Sequence, residues 1–424
     1  MKTMRILTSA SMLALVASLA HAETKLTILI DDGPESSAQM DALTAAYTAM
    51  HPDVSFDVEL RPGGGDGDNI IKTRLATGEM ADVFSYNSGS LFQAINPTET
   101  LMPLDDLPNY ANVIDSFVPV VTGGNGRAYG VPNGPAMGGG IFYNRKVYAD
   151  LGLSVPKTWA DLVANAEAAK AAGITGMEQT FGSTWTSQLF VLGDYFNVQA
   201  SEPDFATRYT NNAAKYATSE AAMRGFSYNQ EVFDKGLLNE DFAAATFEEG
   251  MEAVATGKAA HYPMLTFAIG QVATNFPDDL ANLGFFAQPG PSADSNGLTT
   301  WMPSAFYIPA KTANAEVARD FVNYIASVEA CNVMIGAIGA TGPYLIEGCA
   351  LPSDVPQAVA DMMPYFSEAG RTAPALEFLS PIKGPNLEHF LVEVGSGIRP
   401  AAEAAALYDQ DVEKQAKQLG LPNW

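Results

Sequence analysis

The region from Lys25 to Ser85 alternates between short apolar segments and segments with helical spacing. Lys25–Ile30, Val54–Leu60 and Asp82–Ser85 have the apolar, β-rich composition of strands. Between the first two strands, apolar residues recur three and four positions apart, at Met40, Leu43, Ala46, Tyr47 and Met50. A second helical segment, at 70–77, precedes the third strand. This alternation predicts an α/β fold with open, mainly parallel sheets flanked by helices.

Polar residues directly follow two of these strands. Asp31 and Asp32 come after the first strand, and Tyr86, Asn87 and Ser88 come after the strand at 82–85. In open α/β sheets, ligands bind beyond the carboxyl ends of the strands. We therefore expect both loops to face a ligand, although two aspartates in such a place also serve to close a turn.

The first residues have the pattern of a secretory signal. Lys2 and Arg5 precede an apolar stretch, Ile6–Leu19, which ends in the small-residue motif Ala20-His21-Ala22. This pattern predicts a signal peptide at 1–22, cleaved after Ala22. Because the residue directly after the cleavage site is not the cysteine of a lipoprotein anchor, and no later stretch would span a bilayer, we expect a diffusible protein of the Gram-negative periplasm.

Length and charge narrow the class of protein. The roughly 400 residues that would remain after cleavage exceed what one hydrophobic core usually serves, so two lobes are expected. The formal net charge is −25. This charge makes nucleic acid and anionic membrane surfaces poor partners.

Three motifs follow one another between Gly126 and Leu162. They are G-x-A-Y-G-V-P at 126–132, F-Y-N-R-K at 142–146 and G-L-x-x-P-K-T-W-x-D-L at 152–162. Thr158 is expected to cap the helix that begins at Trp159. In this order, the motifs resemble those of the family 1 extracellular solute-binding proteins of ABC importers, and weaker similarity extends along the remainder of the chain after residue 22.

The resemblance implies two lobes that close on a ligand by a hinge motion. The first lobe would comprise 23–133 and the return segment 287–352, and the second would comprise 134–286 and the C-terminal helices 353–424. It further implies no catalysis, a monomer, and delivery of the ligand to the permease subunits of an inner-membrane ABC transporter. The ligand class that the resemblance favours is a carbohydrate, namely a di- or oligosaccharide.

A sugar site combines aromatic rings, which stack on the apolar faces of the sugar, with polar groups that pair with its hydroxyls. The candidate ligand-binding residues are Asp31, Asp32, Tyr86, Asn87, Ser88, Trp185, Tyr262, Met264, Trp301, Tyr344, Lys383 and Asn386. Tyr143 and Trp159 are instead assigned to packing. The stretch 261–264 departs from the family pattern, and Phe267 stands near the usual position of a tryptophan.

Two other functions stay open. A polyamine or other cationic solute would be bound by Asp31, Asp32 and their neighbours. A secreted glycosidase needs only two carboxylates, which this acidic chain supplies. By contrast, the chain has no nucleophile elbow, phosphate-binding P-loop or His-Glu-x-x-His motif.

No cofactor or metal is predicted. The four histidines have no metal-binding spacing, and the loop at 61–69 lacks the glutamate that an EF-type calcium loop requires.

The chain after residue 22 contains two cysteines, Cys331 and Cys349. In the oxidising periplasm this close pair predicts a disulfide, with free buried thiols as the alternative.

Overall fold

The computed structural model of the protein describes residues 24–424, and the predicted signal peptide at 1–22 lies outside the described residues. The strands are β1 (Thr24–Asp31), β2 (Val54–Arg61), β3 (Val83–Tyr86), β4 (Val131–Pro132), β5 (Met137–Asn144), β6 (His261–Leu265), β7 (Leu283–Ala287), β8 (Leu298–Trp301), β9 (Ala305–Tyr307) and β10 (Thr372–Pro374).

The α-helices are α1 (Pro34–Met50), α2 (Gly64–Thr77), α3 (Ser90–Gln93), α4 (Pro97–Thr100), α5 (Arg145–Leu151), α6 (Trp159–Ala171), α7 (Leu189–Gly193), α8 (Tyr195–Ser201), α9 (Phe205–Thr210), α10 (Glu220–Asp234), α11 (Phe247–Thr256), α12 (Ile269–Asn275), α13 (Ala315–Ile325), α14 (Val328–Ile338), α15 (Gln357–Ser367), α16 (Leu376–Leu379), α17 (Leu387–Gly395) and α18 (Ala401–Gln418). Short 3₁₀ helices lie at Pro108–Asn112, Val118–Val121, Thr184–Gln188, Thr266–Ala268 and Pro277–Asn282.

The first lobe is built on the sheet β2-β1-β3-β9-β4. β1 pairs in parallel with both β2 and β3, which confirms the strand–helix–strand prediction for this lobe. β9 is antiparallel to β3, because the chain re-enters this lobe at Ala305, opposite Tyr86 at the carboxyl end of β3. Because β1, β2 and β3 run in the same direction, the carboxyl ends of these three predicted strands lie at one edge of the sheet.

The second lobe differs from the prediction of a mainly parallel sheet. Its central strand, β5, is antiparallel to β6, β7 and β8, and only β8 and β10 pair in parallel. The reason is the direction of entry. β5 begins next to the first lobe and runs away from it, whereas its three neighbours run back towards it. The two-lobed α/β architecture with flanking helices is confirmed, with mixed sheets.

The chain crosses between the two sheets three times in the described residues, the last time between Tyr307 of β9 and Thr372 of β10. The first crossing lies between Pro132 of β4 and Met137 of β5. The second follows Trp301 of β8, which pairs with β5, and precedes Ala305 of β9. The return crossing thus comes later than the predicted boundary between 286 and 287. We propose lobes of 24–133 with 302–352, and of 134–301 with 353–424.

Separate hydrophobic cores support this division. In the first lobe, Leu26, Phe84 and Tyr307 of the sheet pack with Phe321 of α13 and Met334 of α14. In the second lobe, residues of α10, α17 and α18 share another core. Trp159 stacks on Tyr228 with ring centroids 3.6 Å apart, and Tyr143 packs on Phe286, so the prediction that Trp159 and Tyr143 serve packing is confirmed.

A disulfide joins Cys331 of α14 to Cys349, with Cα atoms 6.3 Å apart, as predicted. It closes the loop that carries Thr341 and Tyr344.

Within residues 24–424, no single helix is long and apolar enough to cross a membrane. Only α13 and α14 together reach that length and composition, and they meet at an angle of 71°.

The start of α6 provides a test of local stability. The Thr158 hydroxyl accepts a hydrogen bond from the Asp161 N–H at 3.1 Å, and the Asp161 carboxylate accepts one from the Thr158 N–H at 3.0 Å. We expect Thr158→Ala to lower the free energy of unfolding by about 1 kcal/mol in urea titrations, because one N–H loses its partner. Thr77→Ala, at the exposed end of α2, is the matched control. Identical midpoints for the two variants would contradict a stabilising role of the cap.

Candidate functional site

The loops that follow β1, β2 and β3 face the second lobe. After β1, Glu35 packs beside Gly270 of α12. After β2, the Gly65 N–H donates a hydrogen bond to Glu388 Oε1 at 3.2 Å. After β3, Gly89 has a φ of 71° and lies against the backbone of α16. We call the space bordered by these loops, by Thr184–Gln188 and by Thr266–Ala268 the interlobe cleft.

A charged cluster lies on both sides of the interlobe cleft. It consists of Arg61 and Asp68 from the first lobe and Glu377 and Lys383 from the second. Arg61 is 6% exposed, and its Nη2 donates to the Ser85 carbonyl oxygen at 3.2 Å. Burial raises the pKa of Asp68, against the opposing effect of nearby cations that include Lys383. Asp68 is thus a carboxylate at the contact between the two lobes.

Two buried donors lie beside the charged cluster. Arg61 Nε has no hydrogen-bond partner, and the hydroxyl of Tyr86, a fully buried residue, lies beside the Asp68 carboxylate, which is an acceptor for its proton. Burial raises the pKa of the Tyr86 hydroxyl far above its usual range, and the charge of Asp68 adds to the effect, so the hydroxyl stays a proton donor.

Trp301 connects the charged cluster to the second sheet. Its Nε1–H donates to Glu377 Oε1, and Lys383 Nζ lies 3.4 Å from Glu377 Oε2. The indole ring covers Gly139 of β5, where an added methyl group would clash with it. The ring is therefore fixed, with only 4% of Trp301 exposed.

An aromatic trio, consisting of Trp185, Phe247 and Phe267, lies on the second lobe. The Trp185 ring centroid is 5.4 Å from that of Phe247 and 6.1 Å from that of Phe267. Trp185 is half-buried and faces the glycines at 63–64 of the first lobe. Because glycine has no side chain, the backbone of this loop can lie close to Trp185.

An acidic end adjoins the aromatic trio. It consists of Asp31, Asp32 and Glu35 from the first lobe and Glu248, the residue after Phe247, from the second. Glu35 is 9% exposed, and its Oε2 has no hydrogen-bond partner. Burial raises the pKa of Glu35 to about 7, and the negative charges of Asp31, Glu248 and Asp32 act in the same direction.

Most of the residues predicted from the sequence for the first-lobe side lie at the interlobe cleft. Asp31 accepts a hydrogen bond from Ser36 Oγ at 2.6 Å, and Asp32 is exposed. Ser88 Oγ donates to the Pro303 carbonyl oxygen at 2.8 Å, and the carbonyl oxygen of the exposed Asn87 accepts from the Tyr307 hydroxyl. These last two contacts hold the loop after β3 against the return strand.

Tyr344 also belongs to this side. It is 4% exposed, its hydroxyl has no hydrogen-bond partner, and its backbone pairs with Pro135 at the first crossing. In the same loop, Thr341 lies beside Gly270 of the second lobe. Burial raises the pKa of the Tyr344 hydroxyl well above its usual range, which keeps it a donor.

Three predicted residues lie elsewhere. Tyr262 and Met264 are buried in the core of the second lobe, and the Tyr262 hydroxyl is hydrogen-bonded to Thr180 Oγ1 at 2.6 Å. Asn386 precedes α17 and donates to Asp411 of α18 at 2.9 Å through both its backbone and its side chain. The structure therefore gives Tyr262, Met264 and Asn386 packing and helix-joining roles.

Besides Glu248, sequence reasoning missed five charged residues of the interlobe cleft: Glu35, Arg61, Asp68, Glu377 and Glu388. Arg61 had the same signal as Asp31, because it is the last residue of a parallel strand. Glu35 had the signal of the first helical turn after β1. The other three are brought to the interlobe cleft by tertiary packing, which leaves no local pattern.

The rest of the described surface offers little comparable chemistry. A cavity of about 390 Å³ lies on the outer side of the first lobe, bordered by Tyr47, His51, Arg319 and Asp320, away from the interlobe cleft. Within residues 24–424, no group of three or more His, Cys, Asp or Glu side chains is arranged to hold a metal ion.

Known proteins resemble this chain over most of its length. The family model described as bacterial extracellular solute-binding protein matches residues 31–330. The multiple sugar-binding protein of Streptococcus mutans is 25% identical over 316 residues, which cover 73% of each chain. An uncharacterized ABC transporter extracellular-binding protein of Pyrococcus horikoshii is 26% identical over 325 residues, 73% of this chain and 69% of that protein.

Solved structures share the fold. A chitin oligosaccharide binding protein superposes with a TM-score of 0.81 at 20% identity, over 93% of this chain and 99% of that one. The solute-binding protein RafE in complex with raffinose superposes with a TM-score of 0.74 at 19% identity, with the same coverage. At these identities, the likeness shows the two-lobed fold alone.

Proposed function

Since the chain belongs to the bacterial extracellular solute-binding protein family, we propose that it binds a carbohydrate, namely a di- or oligosaccharide, in the interlobe cleft. One observation carries the proposal. The interlobe cleft combines the aromatic trio with three buried polar atoms that have no partner: Glu35 Oε2, Arg61 Nε and the hydroxyl of Tyr344.

This combination matches the two surfaces of a sugar. The C–H faces of a sugar ring pack on aromatic rings, and its hydroxyls both donate and accept hydrogen bonds. A buried polar group without a partner costs about 1–3 kcal/mol, so the interlobe cleft gains stability when hydroxyls reach these atoms. Carboxylates and hydroxyls of the protein are suited to this pairing.

The proposed binding residues follow from this geometry. We retain Asp31, Asp32, Tyr86, Trp185, Trp301, Tyr344 and Lys383 from the sequence prediction, assign Asn87 and Ser88 to the support of their loop, and add Glu35, Arg61, Asp68, Phe247 and Phe267. No residue is proposed to be catalytic. The names of several relatives, which refer to multiple sugars, chitin oligosaccharide and raffinose, support the ligand class.

The biological setting is proposed from the family. The protein would act in the periplasm as a monomer after removal of residues 1–22, and its closed form would dock on the permease subunits of an ABC transporter. Closure would bring the loops after β1, β2 and β3 onto the second lobe, as in the contact between Gly65 and Glu388. The hinge would lie at the crossings at 133–136 and 302–304.

Thermal shift and calorimetry test the ligand class. Cellobiose, maltose, raffinose and spermidine would each be added to the mature protein, and a saccharide that binds is expected to raise the melting temperature, more so the tighter it binds. Small-angle scattering with the tightest saccharide should then give a smaller radius of gyration. A melting temperature that responds only to spermidine would contradict the proposal, as would hydrolysis of chromogenic glycosides.

A further inference from the structure

The acidic end of the interlobe cleft carries more negative charge than a neutral sugar needs. Asp31, Asp32 and Glu35 approach from the first lobe and Glu248 from the second. Among the described residues, no lysine or arginine lies within ion-pair distance of these four carboxylates. The charged cluster at the other side of the interlobe cleft differs, because there Lys383 and Arg61 accompany Asp68 and Glu377.

Glu35 is the clearest sign that a group is missing from the acidic end. Nine-tenths of the residue is buried, and its Oε2 has no hydrogen-bond partner. Its carboxylate lies next to that of Asp31, since both approach the space beside Gly33. A buried carboxylate without a cation is unfavourable, and it is normally paired or neutralised by a proton.

The surroundings of Glu35 also suit a positive charge. The aromatic trio adjoins the acidic end, because Glu248 follows Phe247 and because Phe267 precedes Gly270, the residue beside Glu35. The faces of aromatic rings attract cations, and carboxylates form charge-assisted hydrogen bonds with ammonium groups. Rings and carboxylates without a protein cation together form a receptor for an ammonium group.

We propose that the acidic end binds an ammonium group of the ligand, so that the preferred ligand is an amino saccharide with a free amine. This inference rests on the proposed function, because it places the sugar ring on the aromatic trio and its amine beside Glu35. Neither a hydroxyl nor an N-acetyl group in that place would bring a positive charge to the four carboxylates.

The proposal predicts coupling to protons. Burial and the charges of Asp31, Glu248 and Asp32 raise the pKa of Glu35 to about 7 in the free protein. An ammonium group favours the ionised carboxylate, so binding in mildly acidic solution must release the proton of Glu35. The affinity for an amine ligand that is fully protonated throughout should therefore fall as the pH drops from about 7 to about 5, whereas binding of a neutral saccharide gains no such dependence from Glu35.

Calorimetry with three matched disaccharides tests the proposal. They share the β-1,4 linkage and differ at one position of each ring, which carries a hydroxyl in cellobiose, a free amine in chitosan disaccharide and an N-acetyl group in chitin disaccharide. The free amine is expected to bind about tenfold or more tightly than the hydroxyl, on the scale of one charge-assisted hydrogen bond. High salt should reduce this advantage.

Variants locate the effect. Glu35→Gln keeps the size of the side chain and is expected to remove most of the preference for the amine over the hydroxyl. Glu248→Gln tests the same end from the other lobe, should Glu35→Gln fail to fold. Glu99→Gln removes one charge from the exposed helix α4 of the first lobe and should leave the preference intact.

The outcomes distinguish a failure of the amino saccharide inference from a failure of the proposed carbohydrate function. If cellobiose binds as tightly as the free amine, or if Glu35→Gln and Glu248→Gln both keep the preference, the inference is overturned while a carbohydrate function stands. If no disaccharide binds but spermidine does, the proposed function itself fails, and with it the amino saccharide.

Discussion

Replacing Cys331 and Cys349 together by alanine is expected to lower the free energy of unfolding by about 3 kcal/mol. The two cysteines are 18 positions apart in the sequence. Without a cross-link over this distance, the higher conformational entropy of the unfolded chain lowers its free energy by about 3 kcal/mol. Denaturant titrations of the oxidised protein and of the double variant measure the difference. Alanine is preferred because Cys331 is fully buried among apolar residues.

The reduced wild-type protein is the matched control, because it keeps both sulfur atoms and loses only the cross-link. It should lose nearly as much stability as the double variant. The closed loop carries Thr341 and Tyr344 to the interlobe cleft, so reduction should also weaken ligand binding. Two free thiols in the denatured, unreduced protein would rule the bond out.

The sequence predicted the first lobe better than the second for a physical reason. In the first lobe, β1, β2 and β3 follow one another with single helices between them, so pattern and order together determine the pairing. In the second lobe, β5 pairs with strands more than a hundred residues away. The direction of such pairs depends on where the chain enters the lobe, which no local pattern records.

The lack of long-range information in local sequence patterns also explains which site residues were predicted and which were missed. Asp31 and Tyr86 were found because they end parallel strands, and Arg61 was available by the same rule. Tyr262 was misleading, because its aromatic and hydroxyl chemistry fits a sugar equally well when the ring is buried against Thr180. Glu388 reaches the interlobe cleft only because α17 packs across the start of α2.

Trp185→Ala is expected to weaken saccharide binding by about 1–3 kcal/mol, which corresponds to roughly fivefold to 150-fold in the dissociation constant. Trp185 is half-buried and lies between Phe247 of the second lobe and the glycine loop of the first, so we expect a sugar ring bound between the lobes to stack on its indole. Trp301 is a less clean test because it is 4% exposed, and its truncation would also disturb the packing against β5.

Calorimetry at low and high salt measures this loss and separates it from charge effects. Stacking acts on the ring faces, so the loss should be the same for cellobiose and chitosan disaccharide and should change little with salt. Trp424→Ala is the matched control. Trp424 is the last residue, and its indole N–H donates a hydrogen bond to the Thr210 carbonyl oxygen. A polyamine ligand would give the reverse pattern: Asp31→Asn or Asp32→Asn would dominate, salt would weaken binding steeply, and Trp185→Ala would have little effect. That result would contradict a sugar stacked on Trp185.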